Sequence, residues 1–128
     1  MQGSFVVVAV VALAGAVGAV ARYALAAWIK GCWPELPMAT AIVNVVGCFG
    51  FGLCWALGTQ RWSAAWSAAV LVGFFGAFTT FSSFAFECHE LLVARRFGWL
   101  ALDLIGQNLL GLAAVAGGIL LGGLVRGA

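Results

Sequence analysis

The chain has 128 residues, 65% of them hydrophobic and only 8% charged, with a formal net charge of +2. Ordinary soluble domains carry roughly 25% charged residues, so six Lys and Arg with four Asp and Glu cannot cover a water-facing globule. A soluble enzyme, a nucleic-acid module and a disordered tail are excluded, and the chain belongs in a membrane.

A bilayer core about 30 Å thick is crossed by roughly 20 apolar helical residues. Four segments meet that need: residues 4–29, whose one charge is Arg22; residues 38–58 and 63–86, without charge; and residues 97–125, with Asp103. They predict an all-α integral membrane fold, a single four-helix transmembrane domain over residues 1–128. The links are short. Residues 30–37 include Pro34 and Pro37, which cannot continue a helix, residues 59–62 form the second link, and the third holds Arg95 and Arg96. Ala19-Val20-Ala21 imitates a signal-cleavage site, but no Lys or Arg precedes the apolar run and it continues to Ile29, so a retained helix is expected. With alternating crossings, Arg61 and Arg126 fall on one face of the membrane and Lys30, Arg95 and Arg96 on the other. So small a bias is compatible with a fixed orientation or with copies inserted both ways and paired antiparallel.

Cys32, Cys48, Cys54 and Cys88 show no CxxC spacing and read as small apolar thiols rather than metal ligands or disulfide partners. In Glu87-Cys88-His89-Glu90 only the two glutamates share a helical face, which reads as a solvated helix end.

Polar side chains inside a crossing are costly and normally face protein or water. Thr40, Asn44 and Gly47 fall on one face of the second helix, and Asp103, Gln107 and Gly111 on one face of the fourth. Two such stripes are expected to line a water-accessible path. Interhelical hydrogen bonding is the other reading of the same residues, and for Asn44 both stand. Gly118 with Gly122, and Ala14 with Gly18, have the spacing of close helix packing. Arg22 has no acidic partner in its own crossing, which favours a nearby anion or a position at the membrane boundary.

The third crossing carries Phe74, Phe75, Phe78, Phe81, Phe84 and Phe86 interleaved with Gly73, Gly76, Thr79, Thr80, Ser82 and Ser83. The glycines and hydroxyl residues weaken the helix and predict a break near residues 76–80. A break at membrane depth needs protein or a cavity to satisfy the freed backbone. Phe78, Phe81 and Phe84 recur every third residue, and their positive ring edges suit either packing or an anion that has shed its water.

Three strings together resemble the signatures of the Fluc (CrcB) family of small fluoride channels: GFFGAF-TTFSSF over residues 73–84, followed by Glu87; GAVGAVARY over 15–23; and TAIVNVVG over 40–47, with Ala39 where glycine is usual. The resemblance spans essentially the whole chain. It implies an antiparallel, dual-topology homodimer in a bacterial inner membrane, with two fluoride pores giving passive export from the cytoplasm. It also implies a central structural sodium ion held by the backbone carbonyls of Gly76 and Thr79. On the same match Phe81, Phe84, Asn44, Ser83 and Thr80 map to the pore and Arg22 to the aqueous vestibule. Uncharged donors of this kind can replace the water of a small, strongly hydrated anion. Ala77 stands where the family has a second glycine, which is expected to stiffen the break. Asp103 and Gln107 fall where many members have Tyr or His and then Ser. An ionised Asp103 would repel an anion, so it is expected to be protonated, paired with a cation such as Arg22, or turned out of the path. A proton-coupled small multidrug transporter is the alternative of similar size, but it needs a carboxylate in the first crossing and residues 4–29 have none. A membrane scaffold would leave Arg22, Asn44 and the Phe-Thr-Ser cluster without a purpose.

Overall fold

The computed structural model describes residues 2–58 and 61–127. Helix α1 covers Gln2–Cys32 and α2 covers Ala39–Gly58. The third crossing is composite. α3 (Ala64–Ser67) widens into a π-helical stretch over Ala68–Phe74, narrows into α4 (Phe75–Phe78), and resumes as α5 (Phe81–Val93) after two extended residues. The fourth begins as α6 (Phe97–Ala101), widens over Leu102–Gly106 and continues as α7 (Gln107–Gly127). Four stretches are long and apolar enough to cross a membrane: Phe5–Cys32, Ala39–Gly58, Ala64–Val93 and Phe97–Gly127.

Several helix ends lie beyond the sequence expectation: α1 continues past Ile29 to Cys32, and α5 past Phe86 to Val93. Hydropathy marks where lipid stops, whereas a helix stops only where its backbone cannot continue. After α1 that point is set by Pro34 and Pro37. After α5 it is Arg95, which takes a left-handed φ of 55°. The Arg96 N–H then reaches the Leu91 carbonyl at 2.9 Å and the Arg95 N–H the Leu92 carbonyl at 3.0 Å, a Schellman ending with arginine in the usual glycine position. At the other end of this crossing Ser63 caps α3, its hydroxyl accepting from the Trp66 N–H at 3.3 Å.

The helices pack through small residues. A Cβ on Gly118 would collide with the Phe49 carbonyl oxygen and stand 2.7 Å from the Leu53 nitrogen, and one on Gly122 would stand 2.6 Å from the Ala56 Cβ. That closeness makes α2 and α7 a tight pair. Arg126 strengthens it by donating from Nη1 to the Ala56 carbonyl at 2.8 Å, near the C-terminal end of α2. On the other side Gly18 lies against the Phe74 backbone, and a Cβ on Gly73 would stand 2.7 Å from the Val11 carbonyl oxygen and 3.0 Å from the Ala14 Cβ. α1 thus packs along the π-helical stretch. The core between these layers is small, formed by Ile29, Ala39, Val43 and Phe78 with partly buried neighbours such as Leu25 and Phe74. Phe5, Leu13 and Val20 on α1, and Leu112, Leu120 and Leu124 on α7, point outward. Such an apolar exterior suits a hydrocarbon solvent, in which helices satisfy their own backbone groups.

Candidate functional site

The centre of the molecule is the pair Thr79–Thr80, where the third crossing loses its helical backbone. Thr79 sits at φ −86°, ψ 154° and Thr80 at φ −148°, ψ 120°. The Thr79 hydroxyl folds back to the Phe75 carbonyl at 2.9 Å, beside the Thr79 N–H on the same oxygen at 3.0 Å. In a continuous helix the Thr80 N–H would close onto the Gly76 carbonyl; here it donates to Asn44 Oδ1 at 2.8 Å. Asn44 answers with Nδ2, which donates to the Thr80 carbonyl at 3.1 Å and to Gln107 Oε1 at 2.7 Å. One amide of α2 therefore holds both backbone groups of Thr80 and ties them to α7. Arg22 holds the other flank, its Nε donating to the Ala77 carbonyl at 3.1 Å at the C-terminal end of α4. The Thr80 side chain starts the next helix, accepting from the Ser83 N–H at 3.3 Å as an N-cap, with the hydroxyls of Ser82 and Ser83 each 3.2 Å away.

Two clefts open on either side of Thr80, which lines both. The first, about 430 Å³, is walled by polar groups, among them Arg22, Lys30, Thr40, Ser83 and Glu87. The second, about 330 Å³, is lined by Asn44, Phe81, Phe84, Gln107 and Asn108 over an apolar floor. The Phe81 and Phe84 rings meet edge to face, with centroids 5.6 Å apart and planes at 62°. Phe84 is 8% exposed and Phe81 78%. Phe78 does not share their side. The break interrupts the helical phase, and Phe78 instead stacks on Phe74 at 5.7 Å within the core.

Glu87 and Cys88 correct the expectation of a solvated helix end. Thr40 donates its hydroxyl to Glu87 Oε1 at 2.6 Å, and Cys88 is buried with its thiol 3.4 Å from Asp103 Oδ2; only His89 and Glu90 of the cluster are exposed. α5 leans these residues against α2 and the start of the fourth crossing, a contact that helical spacing alone cannot reveal. Asp103 is likewise not part of a water-lined stripe: it is 0% exposed, turned toward Cys88, with Oδ1 lacking any hydrogen-bond partner. Of the three alternatives for Asp103, pairing with Arg22 is not formed, since Arg22 is engaged with Ala77, and the side chain is turned away from both clefts. The two sequence stripes do meet, at Asn44 and Gln107. Two features escaped the sequence reading altogether: the π-helical widenings at Ala68–Phe74 and Leu102–Gly106, which rephase the third and fourth crossings just before the site. No residue pattern signals them.

The family model described as CrcB-like protein, Camphor Resistance (CrcB), matches residues 9–119. The chain belongs to the CrcB family. Among curated relatives it is similar to the fluoride-specific ion channel FluC of Nitrosococcus oceani, 48% identical over 110 residues covering 82% of this chain and 86% of that one. The FluC of Solidesulfovibrio magneticus is 44% identical over 122 residues, covering 90% and 94% of the two chains. That of Nitratidesulfovibrio vulgaris is 46% identical over 118 residues, covering 88% and 94%. With four crossing helices and these relatives, this CrcB protein is a multi-pass protein of the bacterial inner membrane. All three strings that carried the resemblance lie inside the matched CrcB region. In the structure they converge, since Arg22, Asn44 and the TTFSSF segment surround the same two clefts.

Proposed function

We propose that this protein is a fluoride-selective channel that lets fluoride leave the cytoplasm down its gradient. The observation that carries the reading is the Thr80 junction: an interrupted helix between two clefts, furnished with hydroxyls, amides and ring edges, with the charged side chains Arg22, Lys30, Glu87 and Glu90 confined to the first cleft. Its relatives, named as fluoride-specific channels, support the same ion.

Fluoride entering the first cleft meets Arg22 and then the hydroxyl of Ser83, followed by that of Thr80 once its bond to Ser83 opens, and these replace its water one donor at a time. Neutral donors stabilise the anion without holding it, so it can move on. Phe81 and Phe84 offer ring edges in the second cleft, where the apolar floor makes their positive rims count for more. Both hydrogens of the Asn44 amide are already shared between Thr80 and Gln107. Its part in the pore is therefore to line the second cleft and to hold Thr80 in place, with donation to the ion requiring one of those bonds to open. Proton-coupled drug transport has no support here: the first crossing offers no carboxylate, and Asp103 is enclosed by protein.

The working unit in this reading is an antiparallel, dual-topology homodimer with two pores. A compact monomer of 13.2 kDa exposes about 6,400 Å², whereas this chain exposes 8048 Å². Phe81 stands bare, and a Cβ on Gly76 would meet nothing within 4 Å, so the break faces open space in the single chain. A second copy would cover both. The same break fits a structural sodium ion. The Gly76 carbonyl is released when the Thr80 N–H turns to Asn44, and the Thr79 carbonyl follows in extended backbone; neutral oxygens suit a small hard cation. Two carbonyls do not complete a shell, and a second copy would double them. Held by the Gly76 and Thr79 carbonyls, a sodium ion would supply a fixed positive charge at the break.

Purified protein in liposomes is expected to release fluoride far faster than chloride, read with ion-selective electrodes. Equal release of both ions, or of neither, would refute the channel. Phe81→Ile is expected to slow fluoride at least tenfold while cross-linking still traps a dimer, because a branched aliphatic chain has no positive edge. Unchanged flux would remove Phe81 from the pore.

A further inference from the structure

Adjoining the first cleft, with which it shares Lys30, Glu87 and Glu90, a third and larger cavity of about 670 Å³ lies at one end of the crossings, between the end of α1, the link over residues 33–38 and the end of α5. The channel reading makes no use of Arg96, Leu36 or Leu91, which line this cavity and not the first cleft. Its size falls in the roughly 300–1,000 Å³ range of small-molecule sites. Two cations, Lys30 and Arg96, and two carboxylates, Glu87 and Glu90, line it over a floor that includes Leu36 and Leu91. Oppositely charged groups facing one cavity would ordinarily close it with ion pairs. None forms among the described residues: Glu87 is held by Thr40, and Arg96 lies over the Trp99 ring, 5.7 Å from its centroid. The four groups are spread around a space: Lys30, Glu90 and Arg96 are exposed, and Glu87 keeps a buried Oε2 without a hydrogen-bond partner.

The ligand that satisfies such a set carries both signs. A simple anion would bring its charge against Glu87 and Glu90, and a simple cation would leave Lys30 and Arg96 unmatched. A metal ion is also a poor occupant, since no group of three His, Cys, Asp or Glu among the described residues could hold one. A phosphate joined to a primary ammonium satisfies all four, with the phosphate on Lys30 and Arg96 and the ammonium hydrogens on Glu90 and Glu87. The setting points to a lipid as its source. Trp28 and Trp33 are exposed and meet edge to face at 6.0 Å beside this end of α1, and Trp99 lies at the start of the fourth crossing. Indoles of this kind mark headgroup depth. The apolar floor gives the glycerol and first methylenes somewhere to lie.

We propose that this cavity is a binding site for a phosphoethanolamine lipid headgroup, with Lys30 and Arg96 recognising the phosphate and Glu90 and Glu87 the ammonium. The discriminating feature is the ammonium: a trimethylated headgroup has the same charge but no N–H to donate. Full-length protein in mild detergent, titrated with phosphatidylethanolamine, phosphatidylcholine, phosphatidylglycerol and free phosphoethanolamine, provides the test through its thermal unfolding midpoint. Phosphatidylethanolamine is expected to raise the midpoint at concentrations about tenfold lower than phosphatidylcholine or phosphatidylglycerol. Glu90→Gln is expected to bring it down to the phosphatidylcholine level, and Arg96→Gln to weaken all three lipids. Equal response to phosphatidylethanolamine and phosphatidylcholine, or a preference that survives both substitutions, overturns the proposal. So does free phosphoethanolamine acting as well as the lipid, since the site would then take a soluble zwitterion. Neither substituted side chain is packed in the core, so both variants are expected to fold, and a lipid preference can be read whether or not the protein conducts fluoride.

Discussion

Asn44→Ala is the sharpest test of the Thr80 junction. The substitution deletes three hydrogen bonds: Thr80 N–H to Oδ1 at 2.8 Å, Nδ2 to the Thr80 carbonyl at 3.1 Å, and Nδ2 to Gln107 Oε1 at 2.7 Å. They are not equivalent. The Thr80 N–H is left as a donor without a partner at membrane depth, which costs about 1–3 kcal/mol. The Thr80 carbonyl keeps a helical acceptor role at the N-cap of α5, and the Gln107 bond is an ordinary interhelical one; bonds of that kind average about 0.6 kcal/mol. The sum is a loss of about 2–4 kcal/mol, enough to lower the unfolding midpoint clearly without abolishing a four-helix fold. The easiest relief is for Thr80 to turn its N–H back toward Gly76, which would mend the helix and erase the junction. Fluoride efflux from liposomes is therefore expected to fall by at least tenfold. Asn44→Asp separates the two effects. Its carboxylate still accepts from Thr80 N–H but has no hydrogen for Thr80 or Gln107, and it adds a negative charge beside the ion path. It is expected to block flux at least as strongly as Asn44→Ala. A flux within twofold of the parent in both variants, with unchanged midpoints, would refute the argument that Asn44 holds the junction.

Other consequences follow from the packing. Gly118→Leu is expected to cost several kcal/mol or prevent folding, because the first added carbon already collides with the Phe49 carbonyl oxygen; Gly117→Leu, where a Cβ meets nothing within 4 Å, is expected to leave the unfolding midpoint within about 0.5 kcal/mol of the parent. Size-exclusion profiles and thermal scans in detergent compare the two, and equal tolerance would refute the close α2–α7 crossing. Arg95→Gly is expected to stabilise the fold by about 1 kcal/mol, since glycine adopts the left-handed φ of 55° without the Cβ penalty. An unchanged or lowered midpoint would show that the arginine side chain compensates for its backbone strain.

Much of the fold was legible because lipid imposes a coarse rule: a crossing needs enough consecutive apolar helix, and only four stretches of this chain supply it. The site residues were legible for a related reason. Arg22, Asn44 and the TTFSSF run are conspicuous against so apolar a background. Their partners were not. Helical spacing put Asn44 and Gln107 each on a face, but whether those faces met depended on the glycine contacts that draw α7 onto α2. The same spacing misled at Phe78, because the extended backbone at Thr79 and Thr80 resets the helical phase. It also misled at Glu87 and Cys88, which are polar or small, lie at the end of a helix, and are nevertheless taken up by Thr40 and Asp103.

The sequence by itself determined the solvent, the number of crossings and the poverty of fixed charge, since each follows from composition and from the length of apolar runs. Tertiary structure decided which polar groups stay available. It used Asn44 to hold Thr80, used Arg22 to cap α4, and buried Asp103 away from the clefts. The reason is that a hydrogen bond is set by the distance between two groups after the helices have packed, and those distances are fixed by contacts at glycines far along the chain from the groups they bring together.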